Sequence, residues 1–151
     1  MDSRRPLYLR IAVSYYFFAC GCVFATWASR IPTLKDLYGW NEAQLGSLLF
    51  LLPLGSFVAL PFAGWSITRL GSKRMTVLST LGYAGLLGLF GYSASVKSVW
   101  ALSVGLFFFG FWGDVLNIAV NTQALQVQED YYVKPLMSSF HGLWSLGALT
   151  A

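Results

Sequence analysis

The stretch AQLGSLLFLLPLGSFVALPFAGWSIT, residues 43–68, runs for 26 residues without a charged side chain. An α-helix needs about 20 apolar residues to cross roughly 30 Å of hydrocarbon, so this run is long enough to span a bilayer. It has counterparts. Residues 11–29, 75–96 and 135–151 are uncharged over 19, 22 and 17 residues, and residues 98–128 are interrupted only by Asp114. Backbone amides in lipid are satisfied only inside helices or closed barrels. The expected fold is an all-α membrane protein with four complete transmembrane helices, at about 7–29, 43–66, 75–95 and 99–125, plus the start of a fifth at 136–151.

Composition points the same way. Of 151 residues, 56% are hydrophobic, 17% are aromatic and 11% are charged, with a mean hydropathy of +0.60. An ordinary soluble domain carries roughly a quarter charged residues, and a disordered tail is far more polar. The net charge of +4 does not imply nucleic acid, because the cations sit at loop ends and not on one face. Arg4, Arg5, Arg10, Arg69, Lys73, Arg74 and Lys134 fall on one side of the membrane, against Arg30, Lys35 and Lys97 on the other. Seven against three places the N-terminus in the cytoplasm. The fifth span reaches residue 151 without a flanking charge or loop, so a truncated chain is expected over a protein that ends inside the membrane.

Local signals refine the connections. Asn41 and Gln44 have capping-box spacing, which starts the second span near Glu42 after a short loop over residues 30–42. Pro53 and Pro61 bend that span, as hinges or as fixed kinks. Gly82, Gly85, Gly88 and Gly91 line span three and are expected to let a neighbouring helix approach. An inner loop over residues 126–134 precedes Pro135 in the first turn of span five. Cys20 and Cys22 point to nearly opposite sides of one helix, so they neither bridge nor share a metal.

The connection between spans two and three reads GWSITRLGSKR, residues 64–74. Its glycines permit a tight turn, and its cations complement the carbonyl end of span two. This stretch, with Gly64, Arg69, Gly71, Lys73 and Arg74, resembles the loop signature of the major facilitator superfamily, G-x-x-x-D-R-x-G-x-R/K-R/K, at the position where that family carries it. Thr68 stands where the family has an acid, which puts the family's gating through this loop in doubt. NIAVNTQA (residues 117–124) and SSFHGLWSLG (residues 138–147) are similar to fucose permease and related sugar transporters. The resemblance implies twelve helices in two halves, of which this chain would supply most of the N-terminal half. It also implies that the first helix lines the cavity, with Tyr16, Trp27 and Arg30 as weaker candidates.

Polar residues inside the spans carry the functional expectation. A charge at the bilayer centre costs about 2.5–3.5 kcal/mol even on the lenient insertion scale, so Asp114 needs compensation. At 100° per residue, Asn117 lies about 60° from it and Asn121 about 20°, which puts the three on one stripe facing the bundle interior or a water-filled path. A carboxyl in such a place suits proton coupling; the alternative is an acid held permanently by a partner on another helix. His141 lies roughly 9 Å into span five, level with the asparagines, with Trp144 one turn on. A sugar would stack on the indole and bond the carboxamides and imidazole, although a histidine packed against a backbone carbonyl fits equally well. Trp40, Trp65 and Trp100 suit the interfacial aromatic belt.

No metal cluster, cofactor site, nucleophile with its base, or phosphate-binding loop stands out, so the expectation is not an enzyme. The expected function is secondary active transport of a small polar solute, such as a sugar, with proton coupling. Asp114 would carry the proton, Asn117, Asn121 and Gln123 would bond the solute, and His141 and Trp144 would form the opposite wall. The expected partners are the solute, H+, the lipid bilayer and the missing C-terminal half, in a bacterial inner (plasma) membrane. A truncated, non-transporting membrane protein, or a helix-packing partner, stays open beside this, because alternating access needs two halves.

Overall fold

The computed structural model describes residues 4–151. Seven helices follow one another: α1 (Arg5–Ala28), α2 (Ile31–Tyr38), α3 (Glu42–Leu49), α4 (Leu51–Leu70), α5 (Ser72–Ser95), α6 (Val99–Tyr131) and α7 (Met137–Thr150). Four helical runs are long and apolar enough to cross a membrane: Arg5–Tyr38, Glu42–Leu70, Ser72–Ser95 and Val99–Tyr131. The helix α7, of 14 residues, follows them. The chain is an all-α membrane protein. Two compact units divide it, one of residues 4–31 with Val120–Ala151, the other Pro32–Ala119.

In the first unit α1 and α7 cross at glycines. A Cβ on Gly21 would stand 2.0 Å from the Trp144 carbonyl oxygen, and one on Gly147 would stand 2.1 Å from that of Phe18. Without a hydrophobic drive between helices in lipid, such close backbone approach and its dispersion contacts hold the pair. Phe17 stacks on the fully buried Phe140 at 5.5 Å between ring centres. Both cysteines are free thiols.

The helix α6 runs through Tyr131, whereas the sequence places a loop from residue 126. Nothing in Gln126, Val127, Gln128, Glu129 and Asp130 breaks a helix, and Glu129 and Asp130 are exposed. The chain turns only after Tyr131, and Pro135 precedes the Leu136 cap of α7 instead of entering its first turn. The extra turn of α6 has a purpose. Gln128 Oε1 accepts hydrogen bonds from the Leu136 N–H at 2.6 Å and the Met137 N–H at 3.3 Å, satisfying amides that a helix start leaves without partners. Gln128→Leu is expected to cost about 1–2 kcal/mol, seen as a lower thermal unfolding midpoint in detergent. An unchanged midpoint would show the contact to be idle.

In the second unit the 30–42 connection is not a plain loop but contains α2. Pro32 is the second residue of that helix, where a missing N–H costs little. Leu34 is buried, Lys35 pairs with Glu42, and the Tyr38 hydroxyl donates to the Ser93 carbonyl at 2.9 Å. The capping box is present: the Gln44 N–H donates to Asn41 Oδ1 at 2.9 Å, and the Asn41 N–H to Gln44 Oε1 at 3.0 Å. Pro53 has no N–H to give the Leu49 carbonyl, and α3 ends there while Phe50 keeps right-handed helical dihedrals. Pro61 sits inside α4 without ending it.

The helices α4 and α6 cross as α1 and α7 do. A Cβ on Gly55 would stand 1.9 Å from the Phe107 carbonyl oxygen, and one on Gly110 would stand 2.1 Å from that of Leu52. Below the crossing, Ala59, Ala63, Met75, Val115 and Ala119 form a sealed core flanked by Phe62, Phe111 and Trp112. The α5 glycines divide. A Cβ on Gly82 would stand 2.9 Å from the Trp112 ring, but one on Gly85, Gly88 or Gly91 would enter open space.

Candidate functional site

The polar stripe lies on α6, which runs unbroken past all its members. Asp114, Asn117 and Asn121 share one face by helical geometry, with Asn117 exposed and the other two half-buried. Gln123 does not join them. Nine residues at 100° each put it about 180° around α6 from Asp114.

Asp114 stands one turn after Gly110, the residue that seats α6 against α4. A helical side chain leans back over the preceding turn, so the Asp114 carboxyl leans toward that crossing. There the Ser56 hydroxyl donates to the Gly110 carbonyl at 3.2 Å. Asp114 Oδ2 itself is buried and has no hydrogen-bond partner. An unsatisfied buried polar group costs about 1–3 kcal/mol, and more when charged. This oxygen is therefore stabilised by whatever brings it a proton or a donor. Trp112 points elsewhere, packing on Gly82 and edge-on to Phe62 at 6.3 Å.

His141 and Trp144 both approach α1. The His141 ring meets Phe17 edge-on at 5.2 Å, and the Trp144 ring lies 5.7 Å from Phe24, tilted by 40°. His141 remains exposed and Trp144 half-buried. Of the weaker candidates on this side, Tyr16 is half-buried, Arg30 is exposed and Trp27 is only 5% exposed, which makes Trp27 a packed residue and not an open wall. Phe17 and Ser56, which position groups at these faces, carry no sequence signal of their own. A phenylalanine or serine in an apolar helix is too common to single out.

The α4–α5 connection turns at Gly71, whose φ of +83° favours glycine. Gly64, Lys73 and Arg74 are exposed, and no atom lies within 4 Å of a Cβ on Gly64. Arg69 lies over the Trp65 ring with 5.6 Å to its centre. Thr68 donates its hydroxyl to the Trp65 carbonyl at 2.8 Å.

The sequence profile of the Major Facilitator Superfamily matches residues 4–151. The chain belongs to the Major Facilitator Superfamily. It is 32% identical over 133 residues to an uncharacterized transporter of Sinorhizobium fredii, covering 88% of this chain and 34% of that protein. It is 33% identical over 138 residues to the membrane protein MosC of Rhizobium meliloti, covering 91% and 33%. It is 29% identical over 140 residues to an uncharacterized MFS-type transporter of Yersinia pestis, covering 93% and 35%. No solved structure matches the chain. The chain spans about a third of the length of these curated relatives. It is an integral membrane protein whose helices correspond to the N-terminal part of the superfamily fold.

Proposed function

We propose that this chain supplies the N-terminal helices of a secondary active transporter for a small polar solute of the sugar class, coupled to protons. The carrying observation is Asp114 Oδ2, buried without a hydrogen-bond partner on the α6 face that also holds Asn117 and Asn121. A carboxyl placed so is costly unless its proton or its donor changes during the working cycle. The two carboxamides offer both donors and acceptors to hydroxyl groups. His141 and Trp144 supply a second polar and aromatic face, suited to a sugar ring with one apolar side. The 7:3 cation distribution supports a cytoplasmic N-terminus in a bacterial inner membrane.

Rocking of two halves around a central site moves the solute in this superfamily's architecture, so the working molecule includes a second half. The test uses the full transporter in proteoliposomes, with a panel of monosaccharides and an imposed inward proton gradient. The expected result is accumulation of at least one sugar, collapsed by a protonophore. Failure of every sugar to enter would overturn the solute class, and entry indifferent to the gradient would overturn the coupling.

A further inference from the structure

Arg69, Lys73 and Arg74 lie within the six residues 69–74, and all three are exposed. Among the described residues no ion pair involves any of the three, whereas Lys35 pairs with Glu42. The acids of the Pro32–Ala119 unit are elsewhere. Glu42 opens the helical run that closes at Leu70, so roughly 40 Å of helical rise separates it from Arg69. Asp36 precedes it on α2, and Asp114 is inside a span. Three positive charges therefore stand unbalanced at this end of the unit.

Their surroundings are those of a membrane surface. Trp65 is 55% exposed, one turn before the end of α4, where an indole sits at headgroup level. The Arg69 guanidinium lies over that indole, which holds it at the same depth with its donors free to point outward. Thr68, which could have balanced Arg69 had it been an acid, instead bonds the Trp65 carbonyl. The turn at Gly71 brings Lys73 and Arg74 back beside this end of α4.

We propose that the α4–α5 connection binds the phosphate of an anionic phospholipid headgroup, with Arg69 as a two-pronged donor and Lys73 and Arg74 as flanking charges. Charge complementarity selects the anion, and openness selects its source. A free phosphate at exposed side chains is screened by salt, whereas a lipid phosphate is held at high local concentration by its own bilayer. Each cation near an anionic surface contributes about 1 kcal/mol, or about fivefold in binding.

The protein is placed in nanodiscs of equal parts phosphatidylcholine and phosphatidylglycerol, and the lipids it retains on release are counted by native mass spectrometry. Phosphatidylglycerol is expected to dominate. The exposed double substitution Lys73→Gln/Arg74→Gln should lower the phosphatidylglycerol:phosphatidylcholine ratio by up to about 25-fold, while Arg69→Lys, which keeps the charge and loses the fork, should fall between. Lys97→Gln, on the α5–α6 connection, should leave the ratio unchanged. The proposal is overturned if the unaltered protein shows no preference, if Lys97→Gln acts as strongly as the double substitution, or if inorganic phosphate displaces the phosphatidylglycerol. The last outcome would make it a soluble-anion site.

Discussion

Replacing Asp114 by Asn is expected to end gradient-driven accumulation while leaving exchange of solute down its own gradient intact. The carboxamide has nearly the shape of the carboxyl, so the seat of α6 on α4 at Gly110 is preserved. What disappears is the capacity to gain and lose a proton at Oδ2, the buried oxygen without a partner. With one proton moving per solute, a one-unit pH gradient sustains up to about tenfold accumulation, and the variant should fall to a ratio near one. Its folded state should be at least as stable, because the acid in the middle of the span is gone. Asn121→Ala should act differently, weakening solute binding by about 2- to 13-fold with the coupling kept. An Asp114→Asn protein that still concentrated solute would remove Asp114 from the coupling step.

The second large effect is structural. Gly55→Ala and Gly110→Ala each place a methyl carbon about 2 Å from a carbonyl oxygen of the facing helix. Neither obstacle is a flexible side chain, so the helices themselves must separate. Overpacking of this kind costs typically about 1–3 kcal/mol per site, and the two substitutions meet across one crossing. The double variant is expected to lose several kcal/mol and to unfold early in a detergent melt. Gly85→Ala and Gly88→Ala, with no atom within 4 Å, are the comparison. Those should be neutral, or stabilising by up to about 1 kcal/mol through helix propensity. Equal losses in both pairs would show that the crossing is not what tolerates only glycine.

The spans were legible because lipid imposes one demand on every residue between the charges, and residues 43–68 or 75–96 meet it without exception. The Asn41–Gln44 box was legible because its spacing is fixed by the chain itself. What stayed hidden depends on partners. Gly85, Gly88 and Gly91 look like a packing face, yet the close crossings fall to single glycines at 21, 147, 55 and 110, which form no repeat. A glycine's role is set by the backbone opposite it, and one sequence does not show which backbone that is. The helix α2 was missed because eight residues containing Pro32 give too short a periodic pattern. At the polar face, the Asp114–Asn117–Asn121 stripe followed from helical angles alone, and the same angles set Gln123 apart. Ser56, His141 beside Phe17, and Arg69 over Trp65 are contacts, not patterns.

The lapse at Phe50 has a mechanical consequence. The ladder of hydrogen bonds is already one rung short where Pro53 fails to meet Leu49, although the dihedral angles continue as if nothing were missing. Tilting α3 at that joint strains only the two bonds that Phe50 itself makes, its N–H to the Gly46 carbonyl at 3.0 Å and its carbonyl to the Leu54 N–H at 3.2 Å, while the same tilt a turn further on would have to pry Gly55 from Phe107. Compliance is thereby confined to the first stretch of the second span, and the stretch beyond it behaves as a stiff lever.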